Sequence, residues 1–353
     1  MKLLPSPSER GWGEVEIDHG LSYLNKMKNI LNKIINRAQL DKAEAYQCML
    51  AIGNGGLPDA QTVAIMAGIQ MRGLQLDELN GFRQALLELA LPMHFDVGDN
   101  IDVCGTGGDG KNTFNISTST AFVLAGMGYK VVKHGNYGVS SLCGSSNVLE
   151  SLGYTFTNNK DALQRQIDEA NICFMHAPLF HPALKAVAPL RKALGIATFF
   201  NSMGPLVNPA HPTHQLTGTY SLELAKQYQH VLRDDRKNFT VLHGMDGFDE
   251  LTFIGVTRIL GKERDELVGN SPLQSEIKLA NISGGDTVTD SAQILVNLLQ
   301  GNGTEQQNTV LAGNVALALQ TFNPQKNFTT AFAEAHDAVL SGRAIHHLKK
   351  ISA

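Results

Sequence analysis

Between Gly105 and Gly110 the chain places four glycines in six positions, and Asn115-Ile-Ser-Thr118 follows shortly after. Glycines without a Cβ let main-chain N–H groups close around a bulky anion, and a helix opening at Asn115 adds unpaired donors and a positive dipole end. Asn115, Ser117 and Thr118 also carry oxygens that cap such a helix or bind phosphate or metal. The chemistry on offer is the holding of a phosphorylated ligand. Gly105, Gly107 and Gly110 satisfy the Gly-x-Gly-x-x-Gly spacing of dinucleotide binders as well, but that reading needs an acidic residue about 20 positions later for the ribose. Tyr129-Lys-Val-Val-Lys-His-Gly-Asn136 stands there instead, basic and polar, so a nicotinamide dinucleotide is disfavoured.

Three further constellations bear on chemistry. Lys133-His-Gly-Asn-Tyr-Gly-Val-Ser-Ser141, with Gly144-Ser-Ser146 after it, is dense in small polar residues and carries one cation. It is either a turn-rich solvated edge or a second phosphate loop, in which Lys133 supplies a point charge and hydroxyls and amides fix orientation. Asp249-Glu250 is an ordinary solvated pair unless phosphates lie near, in which case it supplies the few carboxylate oxygens that Mg²⁺ prefers. Arg191, a lone helical arginine ahead of Phe199-Phe-Asn-Ser-Met-Gly-Pro-Leu-Val-Asn-Pro209, is a surface charge or a bidentate grip for a substrate carboxylate. No Ser/His/Asp or Cys/His nucleophilic set can be assembled. His134 is the one histidine inside a candidate ligand loop; His176, His181 and His243 read as hydrogen-bonded structural groups.

These residues need a scaffold, and 353 residues with 43% hydrophobic and 18% charged side chains allow two domains and a substantial core. Residues 1–26 show no periodicity and read as a loose extension, with Met27 an alternative start. From 27 to about 93 four short helices are expected, with Asp41 and Glu44 as a capping-box-like start, Gly53 to Pro58 as a breaker and Asp77 as a cap. From 94 onward short β-rich runs (Asp102–Cys104, Lys130–Val132, Ile172–Met175, Thr240–Leu242) alternate with amphipathic helices, which predicts an α/β domain with a mainly parallel sheet. Ligands of such sheets gather at the carboxyl ends of the strands, where the glycine-rich loop, the Lys133 loop and the Asp249 turn all fall. The net charge of −4 argues against a general nucleic-acid binder. No apolar run reaches membrane-spanning length and no secretory signal is visible, while four widely spaced cysteines read as free thiols in a reducing, cytoplasmic setting.

Taken together, Gly105 to Gly110, Asn115 to Thr118, Lys133 to Asn136 with Val139-Ser-Ser141, and Gly204-Pro-Leu-Val-Asn-Pro209 resemble the anthranilate phosphoribosyltransferase family, from about Met27 to the C-terminus and in the same order. The resemblance implies transfer of the phosphoribosyl group of phosphoribosyl pyrophosphate (PRPP) to anthranilate, in tryptophan biosynthesis. It implies a small helical domain beside a larger α/β domain of the nucleoside phosphorylase/phosphoribosyltransferase kind, a segment around 185–215 returning to the helical domain, an active site in the cleft, and a homodimer. Carried over motif by motif, Gly105, Gly108, Asp109, Thr113, Asn115, Ile116, Ser117, Thr118, the loop Lys133, His134, Gly135, Asn136, Tyr137, Gly138, Val139, Ser140 and Ser141, and Ser145 would hold PRPP. Ser117, Asp249 and Glu250 would bind magnesium, two ions being expected. Gly105, Asn136, Arg191 and Pro205 would line the anthranilate path, with Arg191 orienting the carboxylate, Asn136 holding the amine and His134 assisting proton removal.

The commonest family pattern has Arg-Ser where Tyr137-Gly138 stands, and a basic residue near Ala197. Losing an arginine near phosphates weakens electrostatic grip, with the main-chain N–H of Gly138 as the expected substitute. Two other readings share the architecture: a pyrimidine nucleoside phosphorylase, which has no use for the acidic pair, and a non-catalytic nucleic-acid-binding relative, which would carry a basic stripe.

Overall fold

The computed structural model describes residues 25–138, 144–269 and 277–352. The expectations placed on residues 1–24 and on Val139, Ser140 and Ser141 lie outside these. The chain divides into two compact units, one ending at Ala85 and the other beginning at Leu86. The 185–215 segment belongs to the larger unit.

The smaller unit is helical. Helix α1 (25–35) buries Met27, Ile30 and Ile34, while Ile35 is 63% exposed. Asp41 and Glu44 form the expected capping box at the start of α2 (Lys42–Gly53). After the glycine breaker come α3 (Asp59–Arg72) and α4 (Leu76–Glu88). Helix α4 starts one residue before Asp77, so Asp77 lies inside its first turn rather than at the cap. Glu78 is fully buried and pairs with Arg72, while it also accepts the main-chain N–H groups of Leu40 (2.9 Å) and Gln75 (3.1 Å). A buried carboxylate persists only when so fully satisfied.

The larger unit is built on a seven-stranded sheet in the order β3-β2-β1-β4-β5-β6-β7. Strands β1 (Asn100–Val103), β2 (Lys130–Gly135), β3 (Ile172–His176), β4 (His214–Gly218) and β5 (Asn238–Gly244) run parallel, while β6 (Thr257–Leu260) and β7 (Asp265–Val268) close one edge antiparallel. Helix α5 (Ile116–Gly126) links β1 to β2 and is buried from Thr118 to Ala125, as an apolar helix under a sheet must be. It is followed by α6 (Ser145–Ser151), α7 (Lys160–Ala170), α8 (Ala177–Phe180), α9 (Pro182–Leu194) and α10 (Leu222–Arg233). Helices α11 (Val288–Leu299), α12 (Glu305–Phe322), α13 (Phe328–Leu340) and α14 (Ala344–Ile351) complete the packing, their apolar faces forming one core with α5.

The central strand β4 is the element sequence periodicity does not reveal, because His-Gln-Leu-Thr-Gly is mostly polar yet wholly buried. Two of its side chains are held by partners from elsewhere in the chain: Gln215 donates to Pro205 O (2.5 Å) and accepts from Arg236 Nε (3.1 Å), and Thr217 donates to Cys104 O (2.7 Å). The chain order reverses at β1, which has β2 on one side and β4 on the other. In parallel sheets that is where a crevice opens at the carboxyl ends.

Candidate active site

A cavity of about 240 Å³ opens at that crevice, and every described residue expected at the site lines it. One end is polar. The glycine-rich loop leaves β1 with left-handed backbone at Gly107 (φ 60°), Gly108 (φ 80°) and Gly110 (φ 69°), conformations that residues with a Cβ resist. Behind it α5 presents its N-terminus, with Asn115 at the cap position but without a side-chain capping bond. Two of the amides expected to face a phosphate are engaged: Gly107 N–H donates to Asp249 Oδ2 (2.7 Å) and Ser117 N–H to Glu250 Oε1 (3.0 Å).

Lys133 and His134 belong to β2, not to the loop beyond it. The Lys133 side chain runs buried through the sheet and its ammonium sits 2.8 Å from Val103 O and 3.4 Å from Ser117 Oγ, under the start of α5. His134 is also buried. Its Nδ1 lies 2.8 Å from Gly204 O, so Nδ1 carries the proton, and burial pulls the imidazole pKa down to about 3. That bond ties the ring to the Gly204 carbonyl. Asp102, fully buried on β1, secures the same segment: it accepts His134 N–H (3.1 Å) and Asn208 Nδ2 (2.9 Å), and Asn208 also donates to Val132 O (2.8 Å). His176 and His243 are hydrogen-bonded to Ser146 Oγ and Thr219 O, and His181 packs edge-on against His134.

The acidic pair follows β5. Burial, then the charge of Asp109, pushes Asp249 up to about 7, and burial followed by the Asp249 charge raises Glu250 well above its ordinary value. Asp109 is raised as well, mainly by burial. Three buried or part-buried carboxyls therefore crowd one side of the cavity. Among the described residues no three or more His, Cys, Asp or Glu side chains form a complete metal cage.

The rest of the cavity lining is more apolar. Ala177, Leu184, Phe200 and Pro205 contribute to it beside Arg191, on α9. The Arg191 guanidinium lies over the Phe200 ring (5.5 Å to its centroid) and donates to Asn201 Oδ1 (3.3 Å), and burial lowers its pKa. Phe200 and Asn201, which position it, were in plain view in the sequence but carried no charge pattern to mark them.

The rim at Tyr137-Gly138 differs from expectation. Gly138 N–H donates to Asn147 Oδ1 (3.1 Å), which also takes Gly144 N–H, so that amide does not stand in for a missing arginine. Tyr137 bonds Glu150 Oε1 through its hydroxyl (2.8 Å) and packs edge-on to His176. Asn136 Oδ1 accepts Tyr137 N–H (2.8 Å), which leaves the second lone pair of that oxygen and the amide nitrogen to a ligand.

A mainly parallel sheet with an anion loop, an acidic pair and a helical unit ahead of it defines a class, the glycosyl transferases of this architecture. Two family descriptions match: "Glycosyl transferase family, helical bundle domain" over residues 28–90 and "Glycosyl transferase family, a/b domain" over residues 97–345. The anthranilate phosphoribosyltransferase of Flavobacterium psychrophilum is 46% identical over 328 residues, covering 92% of this chain and 98% of that one. That of Cytophaga hutchinsonii is 46% identical over 325 residues, covering 92% and 99%. Among solved structures, the Thermus thermophilus anthranilate phosphoribosyltransferase has a TM-score of 0.84 at 29% identity, covering 92% of this chain and 98% of that one. The Saccharomyces cerevisiae enzyme in complex with PRPP and Mg has a TM-score of 0.83 at 25% identity, covering 94% and 97%. The chain belongs to the anthranilate phosphoribosyltransferase family, enzymes of tryptophan biosynthesis. Among the described residues no helix is long and apolar enough to cross a membrane.

Proposed function

We propose that the enzyme joins the phosphoribosyl group of PRPP to the anthranilate amine with release of pyrophosphate, in a Mg²⁺-dependent reaction. The observation that carries this reading is a single cavity with an anion loop and acidic pair at one end and a half-buried arginine over an aromatic wall at the other. The diphosphate lies against the glycine-rich loop and the N-terminus of α5, with the Lys133 charge beneath. The donor set of Asp249, Glu250 and the Ser117 hydroxyl is all oxygen, which suits Mg²⁺; these residues would hold it, two ions being the expected number. When bound, Mg²⁺ supplies charge neutralisation to the departing pyrophosphate.

Anthranilate enters at the other end. Its carboxylate meets Arg191, its ring lies along Phe200 and Pro205, and Asn136 holds the amine. Bond cleavage at the anomeric carbon runs ahead of attack, the amine arrives from the opposite face, and no covalent enzyme intermediate forms. The protein contributes positioning and charge stabilisation. Ile35 and Met71, exposed apolar side chains on the helical unit, give a homodimer surface to work with. Among the described residues Cys48, Cys104 and Cys173 are buried free thiols, which fits a reducing cytoplasm. The direct test follows the loss of anthranilate fluorescence with PRPP and Mg²⁺, with and without chelator. Consumption only in the complete mixture is expected, and none in that mixture would sink the assignment.

The acidic pair also predicts a pH dependence. Asp249 rises from its ordinary 3.8 to about 7 in the folded chain, so the ligand-free fold binds an extra proton and loses stability as pH climbs across that window. Cation binding must displace that proton. The rise in Tm produced by Mg²⁺ with pyrophosphate is therefore expected to be small at about pH 6 and to reach its full size near pH 8. A thermal shift that does not vary with pH would remove Asp249 from the cation site.

A further inference from the structure

The loop that takes the diphosphate and the segment that holds the arginine's partners meet at one side chain, Tyr220, which follows β4 and is absent from the cavity lining. Its N–H donates to Thr106 Oγ1 (3.2 Å), and Thr106 N–H in turn donates to Gly218 O (3.0 Å). Its ring lies against the glycine-rich loop, where a Cβ on Gly108 would stand 3.6 Å from Tyr220 Cδ1. At the far end its hydroxyl is 2.8 Å from Ser202 Oγ. The Ser202 carbonyl is fixed from behind by the hydroxyl of fully buried Tyr228 (2.7 Å), and the neighbouring Asn201 holds Arg191. Tyr220 is 36% exposed, yet it is hydrogen-bonded at both its main chain and its phenol, to two different substrate segments.

We propose that Tyr220 is a positioning residue that couples occupation of the glycine-rich loop to affinity for anthranilate, an inference that rests on the function proposed above. Diphosphate and cation compete for the bond between Gly107 N–H and Asp249, so their arrival reshapes the loop at Gly107. Thr106 and Gly108 flank that point; Thr106 bonds the Tyr220 main chain, and a Cβ on Gly108 would reach its ring. The phenol passes the adjustment to Ser202, and through the adjoining Asn201 it sets the Arg191 guanidinium. Coupling of this kind is reciprocal in binding free energy, so anthranilate must favour PRPP by the same factor.

The test is a grid of initial rates over both substrate concentrations for the wild type, Tyr220→Phe, Ser202→Ala and the double variant. In the wild type the anthranilate KM is expected to fall as PRPP rises to saturation. Tyr220→Phe should shrink that fall by about fivefold, the worth of one net hydrogen bond, with kcat at saturation and Tm little changed. Ser202→Ala should produce the same loss, the double variant no further loss, and Ser202→Thr should restore the coupling. A merely structural role would lower Tm or kcat and leave the ratio of KM values alone. Should Tyr220→Phe fail to fold, Ser202→Ala carries the same prediction with a smaller change. A wild-type anthranilate KM indifferent to PRPP, an undiminished fall in both variants, or additive losses in the double variant would overturn the coupling. Absence of wild-type turnover would instead sink the function beneath it.

Discussion

Replacing Asp249 with Asn and Glu250 with Gln together is expected to lower Mg²⁺-dependent turnover by about a thousandfold or more, the scale on which metal-assisted charge neutralisation acts. The fold should survive. Both amides keep a side-chain oxygen able to accept the Gly107 and Ser117 N–H groups that Asp249 and Glu250 now take. What they lose is negative charge, and the raised pKa values say that this charge is held against the preference of the ligand-free protein. Tm is therefore expected to stay level or rise, the familiar exchange of stability for activity at a functional site. Steady-state rates with a Mg²⁺ titration, beside a thermal melt, check both halves. Unchanged turnover would rule out the metal role, and a collapsed Tm would make the pair structural.

Arg191→Ala is expected to raise the anthranilate KM by roughly 30- to 100-fold and to leave the PRPP KM near its wild-type value, since charge-assisted hydrogen bonds to a carboxylate contribute about 2–3 kcal/mol. No acidic side chain pairs with Arg191 among the described residues; its contacts are the Phe200 ring and the Asn201 carbonyl oxygen. A half-buried guanidinium with neutral neighbours and a lowered pKa is a cation waiting for an anion. Lysine at this position should rescue poorly, because it lacks the planar fork. A selective change in the PRPP KM would mean that Arg191 serves the other substrate.

Much of this site was legible in the sequence, because its signals are local. Glycines that must take left-handed backbone, a helix opening at Asn115 and adjacent carboxylates after a strand are each written in a few consecutive residues. The hidden parts depend on partners distant in the chain. Strand β4 escapes hydrophobic reading because Gln215 and Thr217 satisfy their polar groups on Pro205, Arg236 and Cys104. Lys133 reads as a loop cation, yet its ammonium is buried against Val103 O, a partner 30 residues earlier. His134 reads as a loop histidine, yet it lies buried on β2 with Nδ1 against the Gly204 carbonyl. The placing of Arg191 by Phe200 and Asn201 is likewise a matter of packing, which residue types alone do not encode.

The close approach of β4 to the acidic turn has a consequence for how this enzyme can vary. Gly218 lies so near the Asp249 main chain that a methyl group there would fall onto the Asp249 carbonyl. Position 218 has no side chain to offer chemistry, yet in a saturation library scored by growth without tryptophan it should tolerate replacement no better than Asp249 itself. Its freedom to drift is set by the backbone it faces, so an engineer recoding this region would have to redesign strand and turn together.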